Sequence, residues 1–165
     1  MVRQNHAGTS ADDGDQARLN LMLSCTRWRA GGAIDQLPSL LSPMGISSHR
    51  VAAVDEAEAL LREVPVHIAV VDLEMPLRCE ADDTAEPCGE RVLQLIRRLD
   101  MAPPTVVVRP RQATTRESRR GLAAALREGA FAVLDRPLHL ETMLDTMRRV
   151  VRRYYDDVWP SGAGG

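Results

Sequence analysis

Ile68-Ala69-Val70-Val71-Asp72-Leu73-Glu74-Met75-Pro76 is a continuous apolar run broken off by a carboxylate. A strand buried on both faces has this look, and strand interiors disfavour Asp, so Asp72 is expected at the strand's tip. In open parallel sheets, ligand and reaction sites collect just beyond the carboxyl ends of the strands. Function is therefore sought around Asp72. The blander reading of the same letters is a turn or capping residue ahead of Leu-Glu-Met-Pro.

Outward from that run, the chain alternates short apolar stretches with helical stripes. Leu19 to Leu23 is a candidate first strand. Ile34, Leu37, Leu41 and Met44 follow at helical spacing, but Pro38 and Pro43 interrupt them, so the first helix should be short or kinked. Ile46 to Val51 suits a strand after Gly45. Asp55 with Glu58 reads as a capping pair ahead of the stripe Ala57, Leu60, Leu61, Val64. Val66 to Val71 is the central strand, and Val92, Leu95, Ile96 and Leu99 mark a third helix that Pro103-Pro104 stops. Thr105 to Val108 is a β-branched strand. Thr114 or Thr115 can cap a helix carrying Leu122, Ala125 and Leu126 up to Gly129. Ala132 to Leu134 closes the sheet, and Leu140, Met143, Leu144, Met147, Val150, Val151 and Tyr154 form the apolar face of a last helix. Five strands alternating with five helices imply an α/β, doubly wound parallel sheet with helices on both faces.

The D-L-x-M-P string, with Gly129-Ala130 and Arg136-Pro137 downstream, resembles the receiver domain of bacterial two-component response regulators, over roughly Arg18 to Arg153. The resemblance implies a flavodoxin-like sheet of strand order 2-1-3-4-5 and makes Asp72 the phosphoacceptor candidate. On this reading residues 1–17 are a disordered polar tail, 18–155 the receiver-like domain and 156–165 a flexible C-terminal tail. In the family, two acids after the first strand join the phosphoacceptor in holding Mg²⁺. A Thr or Ser ending strand four and a Lys ending strand five bind the phosphoryl oxygens. Here Ser24 and Cys25 fall where the acid pair belongs, Arg109 replaces the hydroxyl residue, and Arg136 replaces the Lys before the expected Pro137. Backbone oxygens and unaligned acids such as Glu74 could stand in for the missing pair.

Charge counting turns these differences into an expectation. Three carboxylates and one Lys leave the family pocket at about −2, which a divalent cation neutralises through oxygen ligands. Asp72, Arg109 and Arg136 sum to about +1 if all three face inward, a pocket that repels Mg²⁺. An arginine, Arg109 or Arg136, is expected to pair with Asp72 in two-point contact, depress its pKa and lock the site. No resident metal or cofactor is expected, Mg²⁺ only if the altered site still binds it. Two plainer accounts stand beside this one: Arg136 follows from a chain whose 21 Lys and Arg residues are all Arg, and Arg109 could turn to solvent.

The loop Leu77 to Cys88 is longer than the usual turn and carries Glu80, Asp82, Asp83 and Glu86. Cys79 and Cys88 could clip it by disulfide or share a metal with those acids, but two Cys so far apart without a C-x-x-C partner are a weak metal signal, and a mobile, solvated loop is the favoured reading. Trp28 and Arg27 could plug the vacated acid positions or lie on a surface loop.

Composition bounds the rest. A chain of 165 residues with 44% hydrophobic content suits one domain, and a net charge of −2 gives no general reason to bind nucleic acid. The charge is uneven, with 10 Arg against 16 acids up to Val108 and 11 Arg against 5 acids from Arg109 to Arg153. In receivers the face of helix four, strand five and helix five meets partners. Here it carries Arg116, Arg119, Arg120, Arg127, Arg148 and Arg152, while Val133 occupies the position of the family's switch aromatic. An acidic target, a histidine kinase or a second copy of the chain could dock there, nucleic acid being the less favoured partner; a merely solvated basic face is the alternative. An odd count of three cysteines and the absence of a signal-like or membrane-spanning stretch point to the cytoplasm.

The resulting expectation is a stand-alone atypical receiver, not an enzyme, acting through protein contacts in phosphorelay signalling with weak or no Mg²⁺-dependent phosphorylation at Asp72. The first alternative is a phosphorylation-competent receiver fed by a histidine kinase. The second is a small ligand- or nucleotide-binding module on the same scaffold, which lacks a G-x-G-x-x-G or P-loop signature here. His67 and His139 are expected at the surface rather than as catalytic bases.

Overall fold

The computed structural model describes residues 19–24, 33–79 and 86–155. Five strands, β1 (Leu19–Ser24), β2 (Ile46–Val51), β3 (Ile68–Asp72), β4 (Thr105–Arg109) and β5 (Ala130–Asp135), form one parallel sheet in the order β2-β1-β3-β4-β5. Helices α1 (Leu37–Leu41), α2 (Val54–Glu63), α3 (Gly89–Arg97), α4 (Thr115–Arg127) and α5 (Leu140–Tyr155) alternate with them. The expected doubly wound order is the observed one. The tails and the acid-pair segment Cys25 to Arg29, including Arg27 and Trp28, lie outside the described residues, as do Glu80 to Ala85.

Alternation of side chains divides the core into two layers. Leu21, Leu23, Ile68 and Val70 face α1 and α5, joining Leu37, Leu41, Met143, Met147 and Val150. Met22, Ala69 and Val71 face the other way, against Val54 and Ala57 of α2 and Val92 and Ile96 of α3. Each fully buried Val, Leu, Ile or Met among them contributes about 1.5–3 kcal/mol, so the central strands β1 and β3 anchor the sheet. Proline splits the first helical segment as expected, leaving a five-residue α1 between two 3-10 turns, Ala33–Gln36 and Ser42–Met44.

Several local expectations shift. Helix α2 is not capped by Asp55 and Glu58: the Glu56 carboxylate accepts the Ala52 N–H at 2.6 Å, while Glu58 pairs one turn on with Arg62. Strand β3 runs from Ile68 to Asp72, starting two residues later than the apolar run suggests, although the His67 N–H still bonds to β1. Strand β5 ends at Asp135 rather than Arg136, whose bond to Pro137 is cis. Thr114 caps α4 as expected, its hydroxyl accepting the Glu117 N–H, and Gly129 takes the left-handed φ of 91° that ends the helix. Of the α4 stripe, however, only Ala125 is buried; Leu122 and Leu126 are 39% and 48% exposed. Leu99 and Tyr154 also lie at the surface. Tyr155 takes the inward place, donating its hydroxyl to the His67 carbonyl at 2.6 Å.

His67 itself is wedged at the lower end of the sheet instead of standing free. Its Nδ1 accepts the Asn20 N–H at 2.9 Å, its own N–H donates to the Asn20 carbonyl, and its ring meets Tyr155 edge-on. Asn20 also contacts His49 Nε2 through its side-chain oxygen. An imidazole that accepts at Nδ1 is neutral, and burial lowers the His67 pKa from its ordinary 6.5.

Two outcomes follow from these contacts. Because the unfolded chain takes up a proton that folded His67 resists, the His67 contribution to stability is complete above pH 6.5 and is lost as pH falls below it. Urea midpoints of wild type and His67→Gln between pH 8 and 5 should therefore converge toward the acid end; parallel curves would refute the assignment. Gly89 opens α3 where an added Cβ would sit 2.5 Å from Leu73 Cα and closer still to the Asp72 carbonyl oxygen. Gly89→Ala is expected to cost about 1–3 kcal/mol in urea unfolding, because backbone on both sides must move.

Candidate functional site

β3 delivers Asp72 to the carboxyl edge of the sheet, between Ser24 at the end of β1 and Arg109 at the end of β4. The Asp72 carboxylate is wholly buried. Its Oδ1 accepts the Glu74 N–H at 2.9 Å, closing the turn, and its Oδ2 receives the Arg136 Nη2 donor. Arg136 is carried there by the end of β5: its N–H donates to the Arg109 carbonyl at 3.0 Å, which extends the β4–β5 ladder by one residue. Arg136 Nε also lies 3.5 Å from Glu74 Oε2. Of the two arginines expected as partners, Arg136 is the one that pairs with Asp72.

Arg109 does something else. Its side chain is only 6% exposed yet runs away from Asp72 beneath α4. Nε donates to Asp135 Oδ1 at 2.5 Å, Nη1 to the Ser118 carbonyl at 2.9 Å and Nη2 to the Ser118 hydroxyl at 2.9 Å. The helix admits the guanidinium because residue 121 is glycine, whose missing Cβ would lie 2.6 Å from Nη1. A swing into solvent is thereby corrected to a buried clamp joining β4, β5 and α4. Sequence reasoning passed over Asp135, Ser118 and Gly121. The signal for Asp135 was register, since it stands beside Arg109 in the parallel ladder, and register is not written in either strand alone.

The electrostatics differ accordingly. With Arg109 matched to Asp135, the inward charges among the described residues are Asp72, Glu74 and Arg136, two carboxylates and one guanidinium, which sum to −1 where Asp72, Arg109 and Arg136 together would give +1. The expected depression of the Asp72 pKa is also overturned. Burial pushes it above the ordinary 3.8, outweighing the Glu74 N–H bond and the attraction of Arg136; Glu74 adds a smaller upward push.

Mg²⁺ does not fit these residues. Ser24, in place of a carboxylate, turns its hydroxyl back to donate to the Val70 carbonyl at 2.9 Å. Each Asp72 oxygen already accepts a hydrogen bond, and the positive guanidinium of Arg136 lies against Oδ2, where it would compete with and repel a hard cation. Neither Cys79 nor Cys88 forms a disulfide among the described residues, the Cys79 thiol donating to Glu56 Oε1 at 2.6 Å, and no group of three metal-ligating side chains occurs among the described residues. Pro137 and His139 are exposed, as are Arg116, Arg119, Arg120, Arg127, Arg148 and Arg152, while Val133 is half-buried. Arg149, beside them, stacks over Phe131 with its guanidinium carbon 5.7 Å from the ring centre. No helix among the described residues is long and apolar enough to cross a membrane.

No protein-family model matches the sequence, and no curated protein matches it at the level that marks a relative. Solved structures do. A signal receiver domain assigned to a Luxo repressor protein of Vibrio parahaemolyticus is 14% identical with a TM-score of 0.62, over 88% of this chain and 98% of that one. The non-phosphorylated HemR receiver domain of Leptospira biflexa is 22% identical with a TM-score of 0.59, over 81% and 94%. The signal receiver domain of an HD domain-containing protein of Pseudomonas fluorescens is 17% identical with a TM-score of 0.61, over 84% and 98%. With the strand order and the acid at the tip of β3, these likenesses identify the fold of the chain as that of a response regulator receiver domain.

Proposed function

We propose that this chain is an atypical receiver in two-component signalling, in which Arg136 occupies the acceptor carboxylate and holds the site in one state without Mg²⁺. The single observation that carries this reading is the Asp72–Arg136 pair inside a site where Ser24 stands in place of an acid. Phosphoryl transfer to a carboxylate needs a free oxygen lone pair aimed at phosphorus and a cation drawing charge from the phosphoryl oxygens. Here each Asp72 oxygen already accepts a hydrogen bond, from the Glu74 N–H or from Arg136, and the guanidinium at Oδ2 competes with an incoming phosphoryl group for that edge of the carboxylate. The domain then works as a signalling module through protein contacts, not as an enzyme. The exposed arginines of α4 and α5 suit an acidic surface on a histidine kinase, a downstream target or a second copy of the chain. The cytoplasm is the compartment in which such an exchange takes place.

Acetyl phosphate with Mg²⁺ is expected to leave the intact mass of the protein unchanged. Addition of a phosphoryl group that disappears in Asp72→Asn would instead establish a working phosphoacceptor.

The lock has an energetic signature as well. Arg136→Gln strands Asp72 beside Glu74 and should lower stability at pH 7 by about 1–3 kcal/mol, less than for a fully buried pair because Arg136 keeps 22% of its side chain exposed. Adding Asp72→Asn to that variant should restore most of the loss. Urea unfolding of the two variants reads both values, and a double variant no more stable than Arg136→Gln alone would contradict the pairing.

A further inference from the structure

Helix α4 is fastened to the sheet by the Arg109 clamp near its start and by Ala125 near its end, and the space between it and α3 stays open. Two cavities run along this gap, one of about 460 Å³ toward the carboxyl edge of the sheet and one of about 270 Å³ toward the opposite edge. Both are bordered by Leu93, Ala125 and Glu128, so they form one cleft. The upper cavity is in the size range of small-molecule sites. Its floor and walls are apolar, from Leu73, Leu93, Val107 and Ala124.

Its polar groups are unequal. Arg109 reaches the cleft already neutralised by Asp135, and Glu128 is paired with Arg97 at 2.7 Å. Glu74 shares Arg136 with Asp72, at 3.5 Å. Glu90, in the first turn of α3, has no ion pair among the described residues. Among the described residues the mouth thus presents carboxylate charge in excess of its cations, above an apolar floor. A neutral ligand leaves that charge unanswered, and an anion is repelled by it.

We infer that the α3–α4 cleft binds a small organic cation, an ammonium or guanidinium group on an apolar body, with the charge at Glu90 and Glu74 and the body over Leu93, Val107 and Ala124. This site shares Glu74 with the Asp72–Arg136 pair but would exist whether or not Asp72 accepts phosphate. The charged hydrogen bond fixes the orientation of the ligand, and the displaced water and apolar contact supply the remaining affinity.

The test uses the full-length, ¹⁵N-labelled chain and three probes of one shape: 4-phenylbutylamine, 4-phenylbutanol and 4-phenylbutyrate. The amine is expected to give saturable amide shifts centred on Leu93, Val107 and Ala124, the alcohol weaker ones and the acid none. Glu90→Gln should weaken the amine about tenfold, the size of one charged hydrogen bond. Ala124→Leu, which fills the cleft with a good helix former, should abolish the shifts while leaving the rest of the spectrum in place. Equal binding of the three probes, shifts indifferent to Glu90→Gln, or no saturable shifts with the amine would each overturn the site. Glu90→Gln decides the matter on its own should Ala124→Leu perturb the fold.

Discussion

A carboxylate removed from water at the tip of the central strand is the constraint to which the upper end of this molecule answers. Burial favours the neutral acid, and the surroundings must supply compensation if the group is to keep its charge. Receivers of the ordinary kind are expected to meet that demand with further acids and a divalent ion. Here the turn N–H of Glu74 and the guanidinium of Arg136 meet it within the chain. A guanidinium is planar, weakly hydrated and tethered, so its local concentration beside Asp72 does not depend on ions in solution. Even so the Asp72 pKa stays raised, so the compensation is incomplete.

The second arginine solves a different problem. Arg109 stands where a small hydroxyl residue would leave the start of α4 with little to pack against, and α4 buries only Ala125 on its own account. Extending a guanidinium beneath the helix to Ser118, and grounding its charge on Asp135, replaces apolar packing with a fixed set of charged hydrogen bonds. Glycine at 121 is the condition for it, since any side chain there would meet Nη1. Two arginines that look equivalent at the ends of neighbouring strands therefore serve separate partners, one toward the acceptor and one toward α4.

Most of the architecture was legible because it rests on period and punctuation. Apolar runs, glycine and proline positions and the Thr114 cap located the strands and helices to within a residue or two, and the bracketing of Asp72 by a strand and a turn survived intact. What escaped depends on distance across the sheet. Which arginine reaches Asp72 is decided by the direction each side chain leaves its strand, and the partner of Arg109 by a register that only the assembled sheet defines. The sign of the Asp72 shift escaped for a related reason: sequence shows an arginine nearby but not how completely water is excluded. The α4 stripe failed differently, since Leu122 and Leu126 keep helical spacing on a face that no other element covers.

Glu74 connects the two halves of this picture. It follows Asp72 by two residues, closes the turn through its N–H, borders the α3–α4 cleft and sits 3.5 Å from Arg136. A cation held in the cleft would draw the Glu74 carboxylate away from Arg136. That guanidinium would then answer to Asp72 alone, a tighter pair by the removal of one competing acceptor. Linkage makes the effect reciprocal: whatever loosens Arg136 from Asp72 turns it toward Glu74 and lowers the affinity of the cleft for a cation. A ligand in the cleft would thus act on the Asp72–Arg136 pair through one glutamate and without transfer of any group.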